Sequence, residues 1–244
     1  MSSRIELVGF DGDDTLWRSE DYYRHANAEF EAIVGAYVDL TSSQLRCRLL
    51  AAERRNLALF GYGAKSMTLT MVETAIELTE SAISARDIHR IVALGKEVLE
   101  HPVELLPGVR EAAQAIAARH RVVLITKGDL HHQERKVERS GLGDLFHRIE
   151  IVSEKDERSY AKVLDEFGMQ ANAFVMVGNS LRSDIEPVVS LGGWGVHVPY
   201  HVTWEHELEH GLEAGHPRVF AVNDAAEIPD AIARCGNVAA PVSI

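Results

Sequence analysis

The sequence has few cysteines and no long apolar run. It contains 2 cysteines in 244 residues, Cys47 and Cys235, so it lacks the disulfide framework of small secreted domains. No segment approaches the roughly 18 consecutive apolar residues of a membrane-spanning helix. The first apolar run, IELVGF at 5–10, is too short for a signal peptide. We therefore expect a cytoplasmic protein that does not bind membranes.

Basic residues are also scarce relative to acidic ones. The chain has 25 Lys and Arg against 37 Asp and Glu, which gives a formal net charge of −12. Such a surface repels a phosphate backbone, so we expect no nucleic-acid partner. Hydrophobic residues make up 46% of the chain, an ordinary share for a globular protein. The length is enough for one large domain, or for a core with a smaller appendage.

Short apolar runs recur along the chain. Each is rich in Val, Ile or Phe and lacks the period of an amphipathic helix, as expected of parallel strands that are buried on both faces. Helical patterns lie between most of them, and some of these patterns stop at a glycine. This alternation predicts an α/β fold with a Rossmann-like, doubly wound parallel sheet. The predicted strands are 5–10, 121–126, 148–152, 174–178, 194–198 and 218–222, and the helices between them are 108–120, 132–143 and 159–169.

One long interval interrupts this alternation. The first strand ends at Phe10 and the next begins near Arg121, although a crossover unit needs only about 30 residues. Helical patterns that start with serines in capping positions fill the gap, at 42–60 and 84–100. We therefore predict a helical domain inserted after the first strand. The predicted boundaries are 18–102 for the insertion, and 1–17 together with 103–244 for the catalytic core.

Polar side chains follow four of the predicted strands. Ligands bind open α/β sheets at the carboxyl ends of the strands, so residues that follow different strands are expected to meet there. Asp14 lies among these residues, and we interpret it as a solvated turn residue. The candidates are Asp11 and Asp13, then Thr126, Lys127 and Gly128, then Lys155, and finally Asn179, Ser180 and Asp184.

These side chains suit the transfer of a phosphoryl group to a carboxylate. Phosphate and aspartate are both anions, and a divalent cation with oxygen ligands can bridge them. Asp11 and Asp184 are suitable carboxylate ligands for Mg²⁺. Lys155 can offset the remaining negative charge. Asp13 can protonate the leaving alcohol and then deprotonate the water that hydrolyses the aspartyl phosphate.

The loop after the second strand has the residues to hold the phosphate. The hydroxyl of Thr126 and nearby backbone N–H groups can hold a phosphoryl oxygen. Lys127 and Gly128 would form the loop around that phosphate. We therefore expect the substrate to be a small phosphorylated metabolite.

The motifs and their order resemble those of the haloacid dehalogenase-like superfamily of phosphatases. FDGDDT matches the D-x-D-x-T motif of that family, and VVLITKG matches its strand that closes in Thr or Ser. Lys155 matches the family's lysine, and GNSLRSD matches the acidic motif of the G-D-x-x-x-x-D type except at Asn179. The resemblance covers the core, about residues 4–16 and 103–200.

This resemblance implies a role for each matching residue. Asp11 would be the nucleophile and Asp13 the general acid/base. Mg²⁺ would be bound by the Asp11 side chain, the backbone carbonyl of Asp13 and Asp184. The helical insertion would be the family's cap domain, which commonly shapes substrate choice.

Two residues refine the comparison. The haloalkanoate dehalogenases of this superfamily lack the second aspartate and need no metal, so Asp13 favours a phosphatase. Asn179 removes one carboxylate from the metal site, but it can accept a hydrogen bond from a metal-bound water. We predict that Mg²⁺ still binds, and the sequence leaves open whether its affinity is lower.

Several alternatives stay open on the same fold. One is a haloacid dehalogenase, and another is a phosphonate hydrolase, for which Lys65 is the main candidate for a catalytic cap lysine. A third is a weakly active member of the family that binds phosphate. A signalling receiver domain uses similar groups, but it has about 120 residues and no helical insertion. The sequence does not determine the oligomeric state, or whether 199–207 lines the site.

Overall fold

The structure is a computed structural model that describes residues 4–236. Within them lies a six-stranded sheet, and each neighbouring pair of its strands is parallel. All six runs that the sequence predicts as strands form it, which confirms the α/β, Rossmann-like fold class. The strands are β1 (Leu7–Phe10), β2 (Arg121–Lys127), β3 (Arg148–Val152), β4 (Phe174–Gly178), β5 (Trp194–His197) and β6 (Val219–Ala221).

The strand order explains where the polar residues meet. Across the sheet the order is β3-β2-β1-β4-β5-β6. Phe10 therefore pairs with Leu124 on one side and with Val177 on the other. The chain runs outward from β1 to β3, and then returns to the other side of β1 as β4. This reversal is the point where open α/β sheets bind ligands, beyond the carboxyl ends of β1 and β4.

Helices cover both faces of the sheet. Side chains alternate between faces along a strand, so Leu7 and Val8 of β1 join different hydrophobic clusters. Val8 packs in the cluster that contains Ile116, and Leu7 packs in the one that contains Tyr160. Burial of each such large side chain contributes about 1.5–3 kcal/mol. β1 is therefore an apolar anchor for the polar loop that follows it.

The helices in the described part of the chain agree with most of the sequence patterns. The predicted helices 108–120, 132–143 and 159–169 correspond to α5, α6 and α7. Among residues 4–236, no helix has the length and apolar character that crossing a membrane requires. The helices are α1 (Glu20–Gly35), α2 (Ser42–Phe60), α3 (Ala64–Leu78), α4 (Ala85–Glu100), α5 (Val109–Ala117), α6 (Leu130–Ser140), α7 (Glu157–Phe167), α8 (Glu186–Ser190) and α9 (Ile228–Arg234).

The capping residues of α2 and α4 were predicted to be serines. Ser84 does cap α4, because its hydroxyl accepts from the N–H of Asp87 at 3.1 Å. The prediction is wrong for α2, whose cap is Thr41. Thr41 and Gln44 form a reciprocal capping box, with distances of 3.3 and 2.9 Å. Thr41 prevails because a glutamine follows it at the third helical position, where its side chain can reach back to the Thr41 N–H.

The described residues divide into two compact units. One contains the sheet and takes 4–18, Val103–Lys127 and 135–236. The other takes Ser19–Pro102 and Gly128–Glu134, and α1 to α4 pack within it around residues such as Phe30 and Met71. The segment Gly128–Glu134 falls in the core by the sequence prediction but groups here with the helices. That 18–102 forms a cap domain stays a prediction.

Candidate active site

The loop after β1 places Asp11 at the end of a buried strand. The N–H of Asp11 continues the sheet by donating to Val177 O at 2.9 Å. The next residues fold into a tight turn, in which the N–H groups of Leu16 and Trp17 donate to the carbonyl of Gly12 at 2.8 and 3.2 Å. A side chain at Gly12 would overlap the Trp17 ring. The turn therefore needs glycine between the two candidate aspartates.

Asp11, Lys155 and Asp184 form a buried charged cluster. The Lys155 ammonium donates to Asp11 Oδ1, and it lies 2.7 Å from Asp184 Oδ1. All three side chains are almost fully buried. Lys155 reaches this point from the loop after β3, although the sequence around it reads as an ordinary charged loop. Of the candidates that the sequence predicted to converge here, the structure brings these three into direct contact.

Burial dominates the electrostatics of this cluster. It raises the pKa of Asp11 to about 7, because the effects of burial and of neighbouring Asp184 outweigh the opposing effect of Lys155. Burial also lowers the pKa of Lys155, but Asp11 and Asp184 more than offset it, so this pKa lies well above its usual value. Lys155 is thus held as a cation between two acids.

The side chain of Asp13 points to a different set of partners. Trp17 Nε1 donates to Asp13 Oδ1 at 2.6 Å. Lys136 Nζ donates to both carboxylate oxygens of Asp13, at 2.7 and 3.0 Å. Lys136 is a buried residue of α6. Sequence reasoning missed both partners, because HQERKVERS resembles a solvated helix and nothing local pairs residue 136 with residue 13.

Asp14 is not the solvated residue that the sequence predicted. It does lie in a turn, with a φ of 61°, a left-handed conformation that aspartate tolerates better than most residues. However, only 7% of its surface is exposed, and its N–H donates to Trp17 O at 2.7 Å. The prediction that Asp14 is solvated is wrong, because the fold buries this turn residue.

The loop after β4 supplies Asp184 from a single π-helical turn, Leu181–Ile185. The N–H of Ser180 donates to Asp184 Oδ2 at 2.9 Å, which fixes the carboxylate. A side chain at Gly178 would overlap that carboxylate, so glycine is required before the loop. Tyr160 also stabilises the turn, since its hydroxyl donates to Ser183 O at 3.0 Å.

Asn179 lies against the loop after β1. Its N–H donates to Thr15 Oγ1 at 3.0 Å, and the Thr15 hydroxyl donates to Asp11 Oδ2 at 2.9 Å. Of the two orientations of its amide, the one that satisfies every partner has Nδ2 facing the aspartates. In that orientation Nδ2 lies 3.2 Å from Asp11 Oδ2 and 3.3 Å from Asp13 O. Asn179 thus contacts two of the three groups that the sequence resemblance implies as metal ligands.

The oxygen atoms at this site fit a hard divalent cation. Asp11 Oδ2 and Asp13 O both lie within 3.3 Å of Asn179 Nδ2. The carboxylates of Asp11 and Asp184 both contact the Lys155 ammonium. Within residues 4–236, no group of three or more His, Cys, Asp or Glu side chains could hold a metal ion. A cation here would therefore rely on two carboxylates, one carbonyl and water. Mg²⁺ suits such a site because it usually keeps several waters.

Thr126 and Lys127 end β2 beside β1 and β3. Thr126 is 1% exposed. The Lys127 ammonium donates to the carboxylate of Glu207 and to Ser183 Oγ, the latter at 2.9 Å, and it lies 3.5 Å from Glu154. Gly128 has a φ of 142° and begins the segment that groups with the helical unit. The roles of Lys127 and Gly128 in binding substrate stay predictions.

Lys65, the candidate for a cap lysine, has a carboxylate partner. Lys65 Nζ lies 2.9 Å from each carboxylate oxygen of Asp129, within the helical unit. Asp129 Oδ1 also accepts from the N–H of His132 at 3.0 Å. These contacts give Lys65 a structural explanation that needs no catalytic role.

Comparison with known proteins confirms the family resemblance. The family model described as haloacid dehalogenase-like hydrolase matches residues 5–192. A crystal structure of a haloacid dehalogenase-like family hydrolase from Xanthomonas campestris is 58% identical, with a TM-score of 0.85 over 96% of this chain and 92% of that chain. The comparison with curated proteins gave no match.

More distant structures share the fold. One is described as a predicted phosphoglycolate phosphatase from Haemophilus somnus, with 17% identity and a TM-score of 0.62 over 94% of this chain and 99% of that chain. Another is a 2-haloacid dehalogenase from Pseudomonas syringae, with 20% identity and a TM-score of 0.60 over the same shares, 94% and 99%. One fold thus carries proteins described as phosphatases and as dehalogenases.

Proposed function

This chain belongs to the haloacid dehalogenase-like hydrolases, and from that premise we propose that it is a phosphatase of the cytoplasm that hydrolyses a small phosphorylated metabolite. The observation that carries the proposal is the second aspartate. Asp13 follows Asp11 by two residues at the carboxyl end of β1, in a turn that keeps both acids beside the reversal of strand order. A phosphatase needs a proton donor beside its nucleophile, whereas displacement of a halide does not.

The proposed reaction has two steps. In the first, a carboxylate oxygen of Asp11 attacks phosphorus, the bond from phosphorus to the ester oxygen breaks, and Asp13 gives a proton to the departing alcohol. In the second, Asp13 takes a proton from water while the water oxygen attacks phosphorus. The aspartyl phosphate then breaks at its P–O bond, and inorganic phosphate leaves with Asp11 restored.

The surrounding residues counter the negative charge of this reaction. Lys155 stays charged between Asp11 and Asp184, and the hydroxyl of Thr126 would hold a phosphoryl oxygen. Mg²⁺ would be held by the Asp11 side chain, the Asp13 carbonyl and Asp184, with Asn179 on a metal-bound water. It would supply charge neutralisation between nucleophile and phosphate.

A phosphatase screen tests this proposal. The panel holds sugar phosphates, nucleotides, cofactor phosphates and phosphoglycolate, each assayed for released phosphate with Mg²⁺ and again with a chelator. The Asp11→Asn variant serves as the blank. We expect at least one substrate class to be hydrolysed only with Mg²⁺ and only by the enzyme with Asp11 intact. Beryllofluoride, which mimics an aspartyl phosphate, should form a Mg²⁺-dependent complex in the native protein.

The same substrates, with further variants, distinguish a phosphatase from the alternative functions. Asp13→Asn should reduce phosphate release by about 10²–10⁴-fold. Two results together would overturn the proposal in favour of a dehalogenase. No ester would release phosphate, and halide release from 2-haloacids would persist in Asp13→Asn. Turnover of a phosphonate that is lost in Lys65→Met would favour the phosphonate hydrolase. Phosphate binding without turnover or a beryllofluoride complex would favour the weakly active alternative.

A further inference from the structure

Glu207 is a buried acid outside the family motifs. It ends a short helical turn, Glu205–Glu207, in the segment after β5 that the sequence left unassigned. Its carboxylate is 9% exposed, while the neighbouring Glu205 and Glu209 are exposed. Burial of a carboxylate is costly unless hydrogen bonds or an opposite charge compensate for it. The partners of Glu207 should therefore reveal its role.

Those partners come from the ends of two other strands. Glu207 Oε1 accepts from the ammonium of Lys127, the last residue of β2, and from Ser183 Oγ at 2.9 Å. Glu207 Oε2 accepts from Ser180 Oγ, in the loop after β4. Burial alone would raise the pKa of Glu207, but Lys127 and the two serine hydroxyls outweigh it, and the pKa falls below its usual value. The ionised carboxylate of Glu207 thus connects the segment after β5 to the end of β2 and to the loop after β4.

Ser180 caps the turn that carries Asp184, and Ser183 lies within that turn. Ser180 Oγ accepts from the N–H of Ser183 at 3.0 Å while it donates to Glu207. The N–H of Ser180 holds Asp184 Oδ2 at 2.9 Å, and the Ser180 carbonyl accepts from the N–H of Asp184 at 3.0 Å. Any displacement of Ser180 therefore displaces the carboxylate that contacts Lys155.

We propose that Glu207 is a positioning residue that fixes the loop after β4 through Ser180 and Ser183, and thereby fixes Asp184 for Mg²⁺. Lys127 neutralises Glu207 and anchors it to the end of β2. The part of this inference that concerns Mg²⁺ rests on the proposed function, but the part that concerns the loop does not. Partners that hold metal-ligating carboxylates in this way typically change metal affinity or activity by about 10–100-fold when they are removed.

The test compares Glu207→Gln with Glu209→Gln in the full chain. Both variants lose one negative charge, but only the first removes the ion pair with Lys127. It also replaces one of the two oxygens that accept from the serine hydroxyls with an NH₂ group, which cannot accept. Amide hydrogen exchange across 179–185 measures the order of the loop without metal or substrate. Calorimetry with MgCl₂ measures metal affinity. Hydrolysis of the best substrate from the screen gives kcat and KM separately.

We expect Glu207→Gln to exchange faster at the amides of Ser180, Ser183 and Asp184, and to bind Mg²⁺ about 10–100-fold more weakly. Its kcat at a fixed Mg²⁺ concentration should fall by a similar factor, while KM changes by less than about threefold. Glu209→Gln should match the native protein in every measurement. A role in stability alone would lower the melting temperature without changing Mg²⁺ affinity.

A double variant separates positioning from charge balance. If Glu207 acted only to neutralise Lys127, then Lys127→Met should restore Mg²⁺ affinity and loop protection to Glu207→Gln. Positioning through the serines predicts no such recovery. Recovery in the double variant would therefore overturn the proposal, as would identical exchange in Glu207→Gln and Glu209→Gln.

Two further measurements cover a variant that does not fold and a native protein without activity. If Glu207→Gln does not fold, Ser180→Ala and Ser183→Ala remove single contacts and should show the same faster exchange to a smaller degree. Unchanged exchange in both serine variants would contradict the proposal. If the native protein binds no Mg²⁺ and hydrolyses no phosphate ester, the proposed function fails, and the exchange measurements still decide whether Glu207 positions the loop.

Discussion

Lys136 donates to both carboxylate oxygens of Asp13, at 2.7 and 3.0 Å, from a helix 123 positions further along the chain. Trp17 Nε1 contacts the same carboxylate from within the turn. Asp13 is therefore restrained from two directions, and only one of them is local. If Asp13 is the general acid/base, its geometry depends on a lysine that no family motif includes.

Lys136→Met should slow turnover while leaving the fold intact. The methionine keeps the apolar part of the side chain but removes the ammonium that orients Asp13, so we expect kcat to fall by about 10–100-fold, less than for Asp13→Asn. Lys136→Arg should retain more activity. Lys162→Met is the matched control, because Lys162 is exposed and its ammonium lies 3.8 Å from Glu166. Equal activity in the two methionine variants would contradict a role for Lys136.

Asp11→Asn should stabilise the metal-free protein at neutral and alkaline pH. Burial raises the pKa of Asp11 from 3.8 to about 7, so the folded state holds a proton that the unfolded state loses between those values. The native protein therefore loses stability as pH rises through this window, and the variant does not. Lys155 keeps Asp184 as a partner in the variant. We expect a gain of about 1–3 kcal/mol in the free energy of unfolding near pH 8, and little near pH 4.

Urea denaturation in the presence of a chelator measures this gain. Asp144→Asn is the control, since Asp144 is an exposed carboxylate. A gain that is greatest in acid, or absent at every pH, would show that burial does not control the ionisation of Asp11.

Asn179→Asp should have opposite effects on the metal-free and Mg²⁺-loaded protein. It replaces an amide that contacts Asp11 and the Asp13 carbonyl with an anion. Without metal, the added negative charge beside Asp11 should lower the melting temperature. With Mg²⁺, a further carboxylate should raise the metal affinity by about tenfold. Calorimetry and thermal melts measure both effects, with the exposed Asn172→Asp as the control. A variant whose Mg²⁺ affinity is unchanged would place residue 179 outside the metal site.

Gly178→Ala should damage the site through steric overlap. The added methyl group would meet the carboxylate of Asp184, which Ser180 holds in place. We expect a loss of at least about 2 kcal/mol in unfolding free energy, because the surrounding core is close-packed, together with weaker Mg²⁺ binding. Gly35→Ala, at the end of α1, is the control, since the nearest atom lies 3.9 Å from the added carbon. Similar stabilities for the two variants would mean that the loop can move aside.

Asp87→Asn should destabilise the helical unit in a manner that depends on pH. The hydroxyl of Tyr37 at 2.5 Å, then Ser84 and Arg90, lower the pKa of Asp87 from 3.8 to about 2. The stabilisation is therefore complete above the unfolded value and is lost as pH falls through the folded value. We expect the variant to melt at a lower temperature than the native protein at pH 7, and the difference to vanish near pH 2. A difference that grows in acid would contradict this assignment.

Local patterns were sufficient for the strands and for much of the charged site. A short apolar run with β-branched residues can be stable only where both of its faces are covered, so strands such as β1 and β4 could be recognised from composition alone. Because parallel strands end at one edge of the sheet, the positions of Asp11, Lys155 and Asp184 after three of them predicted that these side chains would meet. The resemblance to the family then supplied the chemistry.

The sequence by itself determined which residues stand at the strand ends, because strand period and polarity are local properties. Only the tertiary structure decided what those residues contact. Lys136 reaches Asp13, Glu207 reaches Ser180 and Lys127, and the fold buries Asp14, although each of these residues lies in a segment that reads as a solvated helix, loop or turn. Such contacts depend on the order of strands in the sheet and on how loops cross its edge. Those features arise from the packing of the whole chain, and no short stretch of sequence encodes them.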